Sequence, residues 1–422
     1  MKKHALIIGD IDSLEKYLDF EAFNYSLITS EYEYKTMKKP IKPLLLSILR
    51  IKTSSEFDAC CFEKEINTII NGTSRILKQY GSIDCVITTH EHTILPAAII
   101  REKFDVNGLS YEEALKVRNK KIMKQHIEKS NIKIPKYLIC NKETPEIFVD
   151  EFLKINKNVF VKPSNQAGCF NILSSNNSQV IKMHINKLLD EEEEIVIEES
   201  VEGTVMHFDG IAVGGEVKFL SVSEKIGSCY DYVNLRKPLT TIINNEKAMY
   251  RAANQYVNKC LNALQINNLV FHLEVFYKEL TDEFIFLEIA GRYPGSGITS
   301  IIESVFNIDL VKASYEMDCL KFEFSDLDEA NLLKEVRNTM GRMLIPTPLK
   351  KDLKVKSING LDMIPSNVIY SKITGPGNVV PFTSINAFQS VCEFIIEDSD
   401  KERIFESVNS LNKTIQLSYE EE

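Results

Sequence analysis

The nine cysteines include no C-x-x-C pair and no regular spacing, so neither a zinc centre nor a disulfide framework is indicated. Cys60 and Cys61 are adjacent and read as packing residues. Reduced thiols of this kind fit a cytosolic protein. A surplus of positive charge is also missing. The net charge is −10, which argues against nucleic acid as a main partner. No apolar run is long enough to cross a membrane, so no membrane association is expected. The opening MKKHALIIGDID has two lysines and a short apolar run, but Asp10 and Asp12 interrupt it, so it is not expected to act as a secretion signal. No G-x-G-x-x-G follows the first strand pattern; Gly9-Asp10-Ile11-Asp12 stands there instead. Nor does any Ser/His/Asp or Cys/His set suggest a covalent nucleophile.

What remains is an ordinary soluble composition, 44% apolar and 26% charged, over 422 residues, enough for two or three domains. The first ~110 residues alternate short apolar runs (HALIIG, IDCVITT) with helical patterns, which predicts a small doubly wound α/β unit. Charged amphipathic helix follows over 111–130, then a strand NVFVK ending at Pro163 and an acidic connector, Asp190–Glu194. A strand EIVIEE comes next, then a hairpin turning at Gly214-Gly215 and a helix over 246–264.

The most informative segment is a second hairpin. Residues 269–276 (LVFHLEVF) and 284–290 (FIFLEIA) alternate cleanly about a short polar link. One face is expected to be Leu269, Phe271, Leu273, Val275, Ile285, Leu287 and Ile289, fit for a core. The other carries His272, Glu274, Phe276, Phe286, Glu288 and Ala290. With the turn centred near Thr281, Glu274 opposes Glu288, and directly opposed like charges are destabilising. A divalent cation between them removes that cost. A one-residue slip in register would separate the pair and leave two solvated glutamates.

The ordered set of motifs is more specific than any member. Asn119-Lys120-x-x-Met123 comes first, then Val161-Lys162-Pro163-Ser164 with Ala167-Gly168, then Ile197-Glu198-Glu199-Ser200-Val201-Glu202-Gly203. His272-Leu273-Glu274 and Leu287-Glu288-Ile289-Ala290-Gly291-Arg292 complete it. This order resembles the ATP-grasp superfamily over about residues 80–320, most closely carboxylate–amine ligases such as the L-amino-acid (dipeptide) ligases. The resemblance implies an α/β and α+β fold. Its expected parts are an N-terminal Rossmann-like domain (1–112), a small ATP-grasp subdomain (113–194), a large subdomain with the metal hairpin (195–328) and a C-terminal α+β segment (329–422).

The same resemblance implies roles. Lys120 and Lys162 match lysines on the ATP phosphates, and Ser164 and Gly168 belong to the loop that closes over them. Glu198, Glu199 and Val201 match the strand along the adenine, the last two through backbone groups. Glu274 and Glu288 match the Mg²⁺ ligands, with one or two ions and Mn²⁺ as an alternative. Arg292 matches the arginine that holds the reacting carboxylate, and Tyr293-Pro294-Gly295-Ser296-Gly297 supplies backbone donors beside it. Four positions depart from the pattern. Cys169 replaces a usual serine, Asn171 a usual glycine, Val205 an acidic ribose ligand and Ala290 a metal-binding asparagine. His207 or Asp209 is the candidate substitute for the ribose ligand. His90-Glu91-His92 is not expected to bind metal, although Glu91 is a candidate for the substrate cleft. Lys225 and Arg236 are divided between phosphate and surface roles. The implied reaction is ATP- and Mg-dependent joining of a small-molecule carboxylate to an amine through an acyl phosphate. The alternatives are a thiol or hydroxyl acceptor, or a non-catalytic ATP-binding protein. A homodimer is an analogy only.

Overall fold

Short apolar runs become strands wherever a second layer can cover them. A computed structural model describes residues 2–38, 40–52, 61–295, 297–319, 338–382 and 389–420. The boundary expected at 328–329, together with Cys60 and Ser296, lies outside these residues.

The N-terminal layer is a parallel sheet of β1 (Lys3–Ile8), β2 (Phe23–Ser30), β3 (Ser47–Ile51) and β4 (Cys85–Thr88), in the order β3-β2-β1-β4. Both faces are buried, which is why its strands read as continuous apolar runs and not as alternation. Leu6, Ile8 and Val86 pack against Ile69, Ile76 and Ile100 of the helices Ile66–Tyr80 and Ile94–Phe104. Ala5, Ile7 and Tyr25 pack on the other side with Tyr315 and Cys319, at the end of the helix Leu310–Asp318. That distant helix is pinned by polar contacts: Tyr25 Oη lies 2.6 Å from Tyr315 Oη, and Arg101 donates to Asp318 at 2.6 Å.

A second, antiparallel sheet comprises β5 (Tyr137–Cys140), β6 (Val159–Pro163), β7 (Leu173–Ser175) and β8 (Ile195–Glu199), in the order β5-β8-β6-β7. Here the boundary expected at 194–195 needs correction. Residues 195–199 lie centrally in the small sheet, paired on both sides, and not in the larger half. An apolar run such as IVI carries no information about which neighbour it will pair with.

The largest sheet contains β9 (Thr204–Val213), β10 (Glu216–Ile226), β11 (Leu239–Ile243), β12 (Leu269–Lys278), β13 (Glu283–Ala290), β14 (Thr339–Ile345), β16 (Val368–Ile373) and β18 (Cys392–Asp398). Its order is β13-β12-β9-β10-β11-β14-β18-β16. Three strands near the chain end therefore extend the same sheet. A short accessory sheet, β17-β15-β19, uses β15 (Leu353–Asn359), β17 (Val379–Val380) and β19 (Gln416–Tyr419). The β9–β10 turn falls at Gly214-Gly215, both with positive φ, as the sequence indicated. The helix Lys247–Leu264 packs its Ala253, Val257 and Leu261 on Phe208, Leu220 and Phe271. No helix among the described residues is long and apolar enough to cross a membrane.

The β12–β13 hairpin brings Glu274 opposite Glu288, but by another route than strict alternation. Near the turn Val275 pairs with Phe286, Phe276 with Ile285 and Lys278 with Glu283. Continued regularly, that register would set Glu274 against Leu287. A bulge at Leu287 inserts one residue and brings Glu288 into place. The bulge also exchanges faces. Phe286, expected on the site face, is fully buried beside Val275 in the core. Leu287, expected in the core, lines the cleft with Phe276.

The floor of this sheet is tight. A Cβ on Gly210 would come within 2.3 Å of the Phe219 carbonyl oxygen and 2.6 Å of the Phe271 ring. Gly210→Ala is therefore expected to cost about 1–3 kcal/mol of unfolding free energy, read as a lower urea midpoint. An unchanged midpoint would show that β9 yields freely.

Candidate active site

The helix Lys120–Lys129 starts at Asn119, whose side chain caps it by accepting from Ile122 N. The backbone N–H of Lys120 donates to Ser164 O at 3.1 Å, which ties this helix to the end of β6. Lys120 Nζ donates to the carbonyl of Gln166 at 2.6 Å and lies 3.7 Å from Glu288. One turn on, Lys124 Nζ lies 3.0 Å from Glu198, whose other oxygen accepts from Lys162 at 2.7 Å. Burial alone would raise the Glu198 pKa; the two ammonium groups instead hold it at about 2. Lys162 is raised, Glu198 and Glu288 outweighing the opposite pull of burial. Burial lowers Lys124. Lys124 had no distinguishing signal in the sequence beyond its i+4 spacing from Lys120 on one helix face.

The loop after β6 turns through three left-handed residues, Gly168 (φ +65°), Cys169 (φ +60°) and Asn171 (φ +54°). Asparagine tolerates that conformation, which accounts for its presence where glycine is usual. Gly168 and Cys169 line the cleft, whereas Ser164 is buried and does not.

Across the cleft, Glu274 is 8% exposed and accepts from Lys225 of β10. His272 Nε2 lies 3.6 Å from Glu274, and its Nδ1 lies 2.6 Å from Asp209. Against the effect of burial, Asp209 and Glu274 push His272 up to about 9. Glu274 thus lies between two cations and ionises well below the usual carboxylate range despite its burial. Glu288 is the more open partner, its side chain 39% exposed.

His207, the suggested ribose ligand, sits elsewhere. It pairs with Glu274 across β9 and β12, is fully buried, and lies 2.6 Å through Nδ1 from Asp209. Neither His207 nor Asp209 lines the cleft; both are fully buried on β9, side by side with Glu274 and His272 of β12. The backbone of Glu199 also differs from expectation: its N–H is given to Lys136 O at 2.9 Å. Glu199 still lines the cleft; Val201, in the half-buried link to β9, does not.

Arg292, just beyond β13, donates through Nε and Nη2 to Glu91 Oε2 at 3.1 and 2.7 Å. Glu91 comes from the turn after β4, so the N-terminal layer closes this end of the cleft. Arg118 lies 3.7 Å from its other oxygen. Burial would raise Glu91, but Arg292, Arg118 and Lys120 hold it at about 2. His90 and His92 stack on each other, and His90 Nε2 lies 3.3 Å from Glu33; neither lines the cleft. Arg236 is bound to Thr347 and is likewise outside it.

The cleft comprises two connected cavities of about 120 Å³ each. They share Lys120, Ala167–Cys169, Lys225, Cys229, Glu274 and Glu288. One has an apolar wall of Phe160, Ile172, Phe276 and Leu287. The other carries Glu91, Arg118, His272, Arg292 and Arg342. A larger cavity, about 450 Å³, lies between Arg101 and Asn268 and holds none of the expected site residues.

A solved L-amino acid ligase from Bacillus licheniformis superposes over the whole chain and 99% of its own, with a TM-score of 0.71 at 14% identity. The chain has the ATP-grasp fold. It is similar to an L-arginine-specific L-amino acid ligase of Bacillus subtilis, 24% identical over 295 residues, 66% of this chain and 67% of the relative. It is also similar to the alanine–anticapsin ligase of Bacillus subtilis strain 168, 20% identical over 390 residues, 83% and 80% of the two chains. No protein-family model matches. In ATP-grasp terms, the cleft lies between the small sheet, with Lys162 and Glu198, and the large sheet, with Glu274 and Glu288.

Glu198→Gln would leave Lys124 and Lys162 buried side by side. The expected loss is about 3–5 kcal/mol of stability at neutral pH, measured by urea unfolding. The folded Glu198 pKa of about 2 lies below the unfolded value near 4.3. Its contribution is therefore complete above about pH 4.3 and fades as pH falls toward about 2. The variant should show a flatter pH dependence across that window; identical acid profiles would contradict the pairing.

Proposed function

We propose that the protein is an ATP-dependent carboxylate–amine ligase that activates its acid as an acyl phosphate. The observation that carries this reading is the convergence in one cleft of Lys120, Lys162, Glu274, Glu288 and Arg292. They come from both sheets, from the helix that begins at Lys120 and from the loop after β13, and together they offer phosphate cations, a carboxylate pair and a carboxylate-binding fork. The likeness to L-amino acid ligases supports an amino acid as the acid.

The residues divide the work by their charge and reach. Phe160, Ile172, Phe276 and Leu287 give one cavity an apolar wall on which a purine can pack. Lys120 and Lys162 project into the adjoining space, where ammonium groups neutralise polyphosphate oxygens. Glu274 and Glu288 offer hard oxygen donors in register, the chemistry Mg²⁺ prefers, and their flanking cations keep Glu274 ionised as a ligand must be. Bound there, Mg²⁺ would supply charge neutralisation on the transferring phosphoryl group. Ala290 adds no third donor, which favours one ion; Mn²⁺ meets the same donor set.

Arg292 orients the acid's carboxylate with two parallel N–H donors. One carboxylate oxygen attacks the γ-phosphorus, the bond to the β,γ-bridging oxygen breaks, and ADP leaves. The amine then attacks the acyl carbon, the C–O bond to phosphate breaks, and the nitrogen gives up a proton as the amide forms. Positioning and charge compensation carry both steps, so no protein nucleophile is needed. The described cysteines are all free thiols, which supports a reducing compartment such as the cytosol.

Purified protein with ATP, Mg²⁺ and mixed L-amino acids should release ADP and phosphate only when the amino acids are present. Glu288→Gln should lower kcat by about 10²-fold or more with an unchanged urea midpoint, since the side chain is partly exposed. ATP binding without turnover across a broad panel of acids would sink the ligase reading. Full activity in the variant would sink the metal assignment.

A further inference from the structure

Arg342 is a cleft residue with no counterpart among the motifs. It lies on β14, paired with Thr241 of β11 and Ile395 of β18, so its backbone is fixed within the large sheet. The side chain is 12% exposed and lines the cavity that contains Arg292. Glu393 accepts from its Nε at 2.8 Å. The guanidinium rests against Gly297: a Cβ there would come 3.0 Å from Cζ and 3.1 Å from Nη2. One anchored edge and one flat contact leave the orientation of the fork well defined.

The charge balance of this cavity is informative. Inside it Arg292 and Arg118 face Glu91, Lys225 and His272 face Glu274, and Lys120 faces Glu288. The counter-ion of Arg342, Glu393, does not line the cavity. Among the described residues, the acidic side chains that line the cavity, Glu91, Glu274 and Glu288, are each paired with a cation other than Arg342. A planar fork is the group that best matches the two oxygens of a carboxylate. Beside it Leu239, Ile298 and Leu344 provide an apolar wall.

Given the ligase reading above, on which this rests, Arg292 and the phosphates occupy the reacting carboxyl group. We infer that Arg342 binds the free carboxylate of the amine-bearing substrate, making that substrate an amino acid held by its own carboxyl group. Held there, its amine is directed toward the acyl carbon beside Arg292. The apolar wall faces its side chain.

The test compares acceptors that differ only in charge. Each standard L-amino acid is offered as acceptor beside its carboxamide, and hydroxylamine serves as an acceptor without a carboxylate. The wild-type protein should prefer the acid over the amide by about tenfold or more in kcat/KM, the scale of a charge-assisted hydrogen-bond pair. Arg342→Ala should bring that ratio close to one. Arg342→Lys, which keeps the charge and loses the two-point geometry, should fall between. A wild-type protein indifferent to the carboxamide, or variants that keep the wild-type ratio, would overturn the role of Arg342. So would loss of hydroxamate formation in both variants, because an acceptor-side residue does not govern formation of the acyl phosphate. A wild-type protein that forms no hydroxamate from any acid would instead refute the ligase reading itself.

Discussion

Charge removed from water must be paired, and the cleft is built around that constraint. Three carboxylates each lie between two cations: Glu198 between Lys124 and Lys162, Glu274 between Lys225 and His272, and Glu91 between Arg292 and Arg118. Each set joins parts of the chain that are far apart in sequence. The first fastens the helix at Lys120 to the small sheet, the second spans the large sheet, and the third clamps the N-terminal layer onto the loop after β13. Taking one member away leaves the others as uncompensated buried charge, which is far more costly than losing a surface ion pair. The same arrangement keeps the three acids ionised and favours the charged forms of Lys162 and Lys225, the charge states that polyphosphate and metal chemistry use.

Sheet continuity supplies the second constraint. Strands β9 to β14, with β16 and β18, form one antiparallel surface, so residues from β10, β12, β13 and β14 share fixed spacings. Lys225, Glu274, Glu288 and Arg342 therefore approach the cleft from a rigid floor. Opposite it lie the small sheet and its left-handed loop at Gly168–Asn171, a smaller body with its own core. A continuous sheet on one side and a separately packed sheet on the other let side chains from both converge on one cleft.

Much of this was legible in the linear chain. The periodicity of β12 and β13, the Gly214-Gly215 turn and the helix over 247–264 follow from apolar spacing and turn chemistry. The motif order pointed to the ATP-grasp arrangement without any coordinates. Other features were hidden for identifiable reasons. Leu287 and Phe286 exchange faces because a bulge adds one residue, and nothing in FIFLEIA marks where it falls. Strand 195–199 belongs to the small sheet, and an apolar triplet does not choose its neighbour. His207 shares a sheet face with Glu274, its register partner on β12, yet it is fully buried and bonded to Asp209, which local periodicity does not reveal.

The sequence by itself determined which chemical groups exist and the local elements that carry them: opposed glutamates on a hairpin, lysines at a helix start and a strand end, and an arginine after Gly291. Local periodicity and turn preference act over a few residues, so they can be read there. Only the tertiary structure decided the pairing of Glu198 with Lys124, of Glu91 with Arg292, and the entry of Arg342 into the cleft. The two ion pairs join residues 74 and 201 positions apart, and Arg342 lies 50 positions after Arg292 in the chain. Their energy comes from desolvated charge, which depends on what is buried beside what, and that is a property of the folded chain.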